Sequence, residues 1–172
     1  MSPAIRAPVS GAALAIAAAT LLSCGRPEVI GSNVIPLPRS SVAAVQARAQ
    51  TALVARGYAV YPPDEQMRRL VTYDLPLRKG YESVLVAERE LGELCASASP
   101  GCRGIGVVMV YVFHDDVASL TGWDVIVRGY ATRRPSALER FSPVPVTKDV
   151  QADVAAIAEL LQEAPPPPIA IR

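Results

Sequence analysis

The sequence predicts an α+β fold, a two-layer sandwich in which two or three helices pack on an antiparallel sheet of about four strands. Three observations predict this class. Apolar residues recur with the three-and-four spacing of a helix in residues 42–53 and again in residues 150–161. Between these segments, residues 106–113 are rich in β-branched side chains, and residues 123–128 alternate as a strand whose one face is more apolar than the other. We therefore expect a single domain over residues 42–164.

The first helix should begin near Ser40 or Ser41, because serine is a preferred N-cap residue. Its apolar face comprises Val42, Val45, Ala49, Ala52 and Leu53. Gly57 should end it, since glycine adopts the left-handed conformation that follows many helices.

Two short strands are expected next. Residues 58–61 alternate as a strand does, and the prolines within residues 62–64 then turn the chain. Residues 70–75 form the second strand in this prediction, with Val71 and Tyr73 on one face.

Residues 83–97 fit two structures. Residues 84–86 can pair in a hairpin that turns at residues 78–80, whereas the spacing of Ala87 and Leu91 fits one face of a helix. We favour the helix and keep the hairpin as the alternative.

The strongest hairpin in the sequence lies further on. Residues 106–113 are apolar at both odd and even positions, which predicts a central strand covered on both faces. Trp123, Val125 and Val127 alternate with Asp124, Ile126 and Arg128 and form its partner strand, with one face drier than the other. An exposed segment with the composition of residues 106–113 would aggregate, so we expect it to be buried.

A final helix should follow Thr147, which is an N-cap residue type. Asp149 would lie in its first turn, where the helix dipole favours negative charge. Val150, Val154, Ile157 and Leu161 form its apolar stripe. Residues 165–172 then form a Pro-rich C-terminal tail, and its four prolines favour an extended polyproline II segment.

Two of the three cysteines, Cys95 and Cys102, are seven positions apart with Ser, Pro and Gly between them. In an exported protein this spacing predicts a local disulfide. A redox pair would need the closer Cys-x-x-Cys spacing. A zinc site would need three or four ligands, and His114 is the only histidine.

The third cysteine ends an N-terminal apolar stretch. Residues 9–22 are uncharged and follow a short positive segment that contains Arg6, which is the layout of an export signal. The motif Leu21-Leu22-Ser23-Cys24 resembles the lipobox of bacterial lipoproteins. A transmembrane anchor is the alternative, but 14 helical residues span roughly 21 Å of an apolar core about 30 Å thick.

The resemblance covers about 24 residues and implies a definite organisation. Residues 1–23 would be a signal peptide that is removed, and Cys24 would carry lipid that anchors the protein to a membrane. Residues 24–41, which lack a periodic apolar pattern, would be the lipid attachment and a flexible tether. Gly25 stands where an Asp would mark inner-membrane retention, so the resemblance implies the outer membrane, facing the periplasm.

Charge excludes one class of partner. Removal of residues 1–23 takes away Arg6 alone among the charged side chains and leaves 16 basic against 16 acidic residues. A neutral domain lacks the clustered Lys and Arg that nucleic-acid binding requires. We therefore expect no nucleic-acid partner and no polybasic membrane patch.

The sequence favours a non-catalytic interaction or structural module of the cell envelope, with an envelope protein as its partner. The first alternative is a periplasmic enzyme that uses His114, Asp115 and Asp116 at a strand end, with Asp124 or Ser119 beside them. The second is a carrier of a small molecule or lipid. The sequence contains no Gly-x-Ser-x-Gly, phosphate-binding glycine loop or His-Glu-x-x-His, so we expect no cofactor and no metal.

Lipidation makes a direct prediction. Labelled palmitate should enter the wild-type protein and be absent from Cys24→Ser, because the cysteine sulfur is the attachment atom. Radiolabelled cells and autoradiography of the purified protein measure this. Label that survives in Cys24→Ser would reject the site.

Overall fold

The computed structural model describes residues 28–38, 40–75, 79–97, 99–114 and 122–163. Within these ranges it contains seven strands and three helices. In chain order they are β1 (Ile30–Gly31), β2 (Ile35–Pro38), α1 (Val42–Ala55), β3 (Ala59–Val60), α2 (Pro63–Thr72), β4 (Tyr81–Glu90), β5 (Arg103–Phe113), β6 (Gly122–Arg134), β7 (Ser142–Val144) and α3 (Lys148–Gln162).

The described strands form one antiparallel sheet in the order β1-β6-β5-β4-β3, and β2 and β7 also pair with β6. The α+β class is confirmed, with seven strands where about four were expected. The additional strands are two to four residues long and lie along β6, the longest strand. Segments this short carry too little alternation to be recognised in a sequence.

Strand β5 is the centre of the sheet, as residues 106–113 predict. It pairs with β4 on one edge and with β6 on the other, in a register that sets Val110 between Leu85 and Val127. Every residue of β5 after Arg103 is buried. The predicted hairpin with residues 123–128 is therefore confirmed, and its central strand is covered on both faces.

The first and last helices cover one face of the sheet, which we call the helical face. Val45 and Leu53 of α1 and Ile157 and Leu161 of α3 pack on the strand residues Leu85, Val108, Val110, Val125 and Val127. Both helices begin at the predicted caps. The Ser41 side chain accepts a bond from the Ala44 amide, and the Thr147 side chain accepts one from Val150.

Glycines let α3 lie close to the helical face. A Cβ atom at Gly129 would lie 2.6 Å from Cγ2 of Val154 and 2.9 Å from Cγ1 of Val150. A Cβ atom at Gly106 would lie 2.9 Å from Cγ2 of Val150. The missing side chains on β5 and β6 thus make the space that the α3 valines fill.

Helix α2 lies against the opposite face and corrects one prediction. Residues 70–75 were expected to be a strand, but the chain is helical over Pro63–Thr72. Proline is favoured in the first turn of a helix, so Pro63 starts α2 where the sequence suggested a turn. Leu70 is buried and Val71 is 75% exposed, which is the pattern of a helix packed on one side.

The preferred helix over residues 83–97 is also wrong. Residues Tyr81–Glu90 form β4, so residues 84–86 are extended as in the alternative, and a single 3-10 turn occupies Gly92–Cys95. The hairpin itself is not formed, because its expected partner is helical over Pro63–Thr72 and β4 pairs with β3 and β5. The long apolar strand β5 needs hydrogen-bonded partners on both edges, and β4 provides nine register pairs on one of them. The hydrogen bonds that β4 makes with β5 stabilise the strand more than the spacing of Ala87 and Leu91 favours a helix.

Part of the predicted tether belongs to the domain. Strands β1 and β2 lie within residues 24–41 and pair with β6, and Ile35 and Leu37 are 1% and 6% exposed. Pro36 alternates with these two side chains, which an edge strand tolerates. The domain therefore begins before residue 42, and the tether is shorter than expected on this side.

Cys95 and Cys102 are joined as a disulfide, with Cα atoms 5.7 Å apart, in agreement with the sequence prediction. The bond closes the loop between the 3-10 turn and β5. The predicted signal peptide, Cys24 and the tail of residues 165–172 lie outside the described residues.

Gly129→Ala should lower the free energy of unfolding by about 1–3 kcal/mol, because the new methyl group meets buried valines that cannot move aside. Urea denaturation of the purified protein measures this. The matched control is Gly92→Ala, where no atom lies within 4 Å of the added Cβ and little change is expected. Equal stability of the two variants would contradict the close approach of α3.

Candidate functional site

A groove opens beside strand β4, between helices α1 and α2. We call it the β4 groove; its volume is about 640 Å³. Its floor is the edge of β4 and the segment that follows β3, and its walls come from the two helices. The main lining residues are Gln46 and Gln50 of α1, Gln66 and Met67 of α2, and Tyr81 and Val84 of β4.

The groove exists because β3 is short. Ala59 and Val60 pair with Glu88 and Ala87, and the Tyr61 amide donates one further bond to the Val86 carbonyl at 3.2 Å. Two prolines follow, and the second begins α2. Since proline has no amide hydrogen and favours a helix start, the chain leaves the edge of β4 at this point.

The groove walls are polar but almost uncharged. The Gln66 amide donates to the Tyr61 carbonyl at 2.9 Å, and the Gln46 amide donates to the Ser83 hydroxyl. Met67 adds an apolar surface that is 45% exposed. Among the described lining residues, Glu82 alone carries a formal charge.

A buried carboxylate, Glu88, lies next to the groove. The Tyr61 hydroxyl donates to its Oε1 and the Tyr73 hydroxyl to its Oε2. The guanidinium groups of Arg69 and Arg103 lie 3.7 and 3.8 Å from the same carboxylate. The Arg69 guanidinium also stacks 4.1 Å above the Tyr61 ring.

Burial and the Glu88 carboxylate keep both phenols protonated. Burial, followed by the hydrogen bond to Glu88, raises the pKa of Tyr61 to about 12. The same causes raise the pKa of Tyr73 still further. At neutral pH both groups therefore act as donors, and both oxygens of Glu88 are occupied. This arrangement joins α2, the end of β3 and β4, so it positions one wall of the groove.

A second buried carboxylate, Asp153 of α3, lies on the helical face. It accepts a bond from the Tyr58 hydroxyl at 3.0 Å and forms ion pairs with Arg89 at 2.8 Å and Arg56 at 3.2 Å. Burial, then the Asp153 charge, raises the pKa of Tyr58. The cluster ties α3 to the end of α1 and to β4. The two arginines offset the charge of the carboxylate, and the Tyr58 hydroxyl donates to Oδ2.

The predicted site at the end of β5 is only partly within the described residues. His114 is exposed, and its ring stacks on Trp123 with centroids 3.6 Å apart. Asp115, Asp116 and Ser119 lie outside the described residues. Asp124 pairs with Phe113 in the ladder, and strand alternation places it on the opposite face from Trp123. The described contact of His114 is thus with Trp123, on the other face of β6 from Asp124.

The described residues include no group of three or more His, Cys, Asp or Glu side chains that could hold a metal ion. In the same part of the chain, no helix has both the length and the hydropathy to cross a bilayer. No protein-family profile, curated protein or solved structure matches this chain.

Sequence reasoning missed both carboxylate clusters and the groove. Glu88 follows an apolar segment of the sequence, and in a strand it lies on a buried face. A charged residue at a buried position indicates an oppositely charged or hydrogen-bonding partner nearby. A helix over residues 83–97 does not give Glu88 this position, so the predicted helix conceals the signal. The groove has no sequence signal, since its walls come from three separated segments.

The raised pKa of Tyr73 predicts a loss of stability at alkaline pH. Above the ordinary value of 10.0 the unfolded chain loses the phenolic proton while the folded chain retains it. The stabilisation is therefore complete below pH 10 and declines as the pH rises, by up to about 1.4 kcal/mol per pH unit for each such tyrosine. Tyr73→Phe removes one of the protons released on unfolding, so the free energy of unfolding should fall less steeply with pH. Urea denaturations between about pH 9 and pH 11.5 measure this slope. Identical slopes in the two proteins would contradict the buried phenol.

Proposed function

We propose that this chain is a lipid-anchored protein of the cell envelope, attached through Cys24, whose folded domain binds a protein partner and catalyses no reaction. The β4 groove is the observation that carries the proposal. Its volume of about 640 Å³ falls within the roughly 300–1,000 Å³ typical of ligand pockets.

The chemistry of the groove supports binding over catalysis. Its described lining offers amide, hydroxyl and apolar groups, and Glu82 is its single charged side chain. The nearest buried acid, Glu88, is held by two tyrosine donors and two arginines. A carboxylate so engaged stabilises structure and is not placed to move a proton to or from a substrate.

The sequence supports the proposed location. The lipobox at residues 21–24 supports export and acylation, and Gly25 supports the outer membrane with the domain facing the periplasm. The Cys95–Cys102 disulfide suits an oxidising compartment. An envelope protein is therefore the partner that the domain would meet.

A site-specific photo-crosslinker tests this proposal. Placed at Met67 in the full-length chain, in intact cells of the native bacterium, it should capture one dominant envelope protein, because this position lines the groove. The matched control is Ala155, an exposed residue on α3 that does not line the groove. Capture should also fall when Cys24→Ser removes the anchor.

Mass spectrometry of the captured band identifies the partner. No band from Met67, or equal bands from both positions, would reject the groove as a binding site. That result would direct attention to an enzyme or carrier function and to the loop after His114.

A further inference from the structure

The outer edge of β4 is open beside the groove. Strand β3 pairs only with Ala87 and Glu88, and among the described residues no strand pairs with residues 81–85 on that side. The Tyr61 amide donates to the Val86 carbonyl, so the backbone of Val86 points toward this edge. Because backbone groups alternate in direction along a strand, the N–H and C=O of Val84 point the same way.

We infer that the β4 groove binds an extended segment of the partner polypeptide, which adds to the sheet as a strand along Val84 and its neighbours. The inference rests on the proposed function and names the chemistry of the partner. Unpaired backbone groups on a strand edge are satisfied by another extended backbone, and strand addition is a common mode of peptide recognition.

The groove walls suit an extended segment. The Gln50 amide can bond to the polar groups of such a segment. The side-chain carbonyls of Gln46 and Gln66 add acceptors, since the NH2 groups of these residues already donate within the protein. Met67 and Tyr81 provide contacts for apolar side chains. Alternate side chains of the bound strand would point toward the two helical walls.

Charge selects the composition of the segment. Glu82 is exposed and is the one charged residue in the described lining, so a Lys or Arg on the incoming strand is favoured. A register shift between Tyr81 and Ser83 ends the regular edge beside Glu82. The partner segment should therefore be extended and apolar at alternate positions, with a basic residue at one end.

A second copy of this chain fits the edge less well. Pairing of two β4 edges would bring a second Glu82 and a second pair of flanking helices to the same narrow opening. Like charges and duplicated walls oppose that arrangement. A strand of a different protein meets neither obstacle.

Val84→Pro tests strand addition directly. Proline removes the outward N–H and places its ring on the edge, while the bonds to β5 come from the neighbouring residues, so the sheet should persist. Val84→Thr is the matched control because it keeps the N–H and the β-branched shape. Crosslinking from Met67 in the full-length chain should fall at least tenfold in Val84→Pro and remain near the wild-type level in Val84→Thr.

The outcomes separate the two proposals. Undiminished crosslinking in Val84→Pro, or equal loss in both variants, overturns strand addition and leaves the groove as a binding site. No crosslink in the wild-type protein overturns both.

A second measurement covers the case in which Val84→Pro fails to fold. A fluorescent hexapeptide with Val at alternate positions, Ser between them and a single Lys at one end is titrated with wild-type, full-length protein in detergent micelles, and anisotropy is recorded. The same peptide with N-methylated alternate amides should bind at least tenfold more weakly, since it cannot donate to the edge. Equal affinities, or no binding of either peptide, would overturn strand addition.

Discussion

The structure depends on the burial of one strand. β5 is apolar on both faces over residues 105–113, and all of these residues are buried. A strand of this kind requires a hydrogen-bonded neighbour on each edge and a layer of side chains above and below. β4 and β6 supply the edges, α1 and α3 cover one face, and α2 contributes to the cover of the other.

Two adjacent residues of β4 hold the helices that cover the two faces of the sheet. Glu88 points to the α2 side and accepts bonds from Tyr61 and Tyr73, whereas Arg89 points to the helical face and pairs with Asp153 of α3. Both clusters place a carboxylate with positive charge and a phenol donor, so burial leaves no charge unpaired. The strand that the sequence left ambiguous thus anchors helices on opposite sides of the sheet. The hydrogen bond to Glu88 also holds Tyr61 beside the β4 groove. At this residue the chain leaves the edge of β4, and the edge is therefore open.

The elements predicted correctly are those whose pattern is local and strong. The alternation around Val125, the apolar run of β5 and the caps Ser41 and Thr147 each act within a few residues, so they can be identified without knowledge of the rest of the chain. Residues 84–86 have no such pattern, because an apolar run of three residues is compatible with both a helix and a strand. The two-residue strand β1 and the proline-containing β2 acquire their conformation by pairing with β6, whereas β3 lies within the strand predicted over residues 58–61.

By itself the sequence determined the α+β class, the central hairpin, the first and last helices and the Cys95–Cys102 pair, and it carries the lipobox-like motif at residues 21–24 on which the proposed location rests. Only the tertiary structure decided that residues 81–90 form a strand, that residues 63–72 form a helix and that residues 30–38 join the sheet. It also decided the two buried carboxylate clusters and the β4 groove. These features depend on contacts between residues far apart in the chain, and such contacts leave no period or spacing in the sequence of either partner.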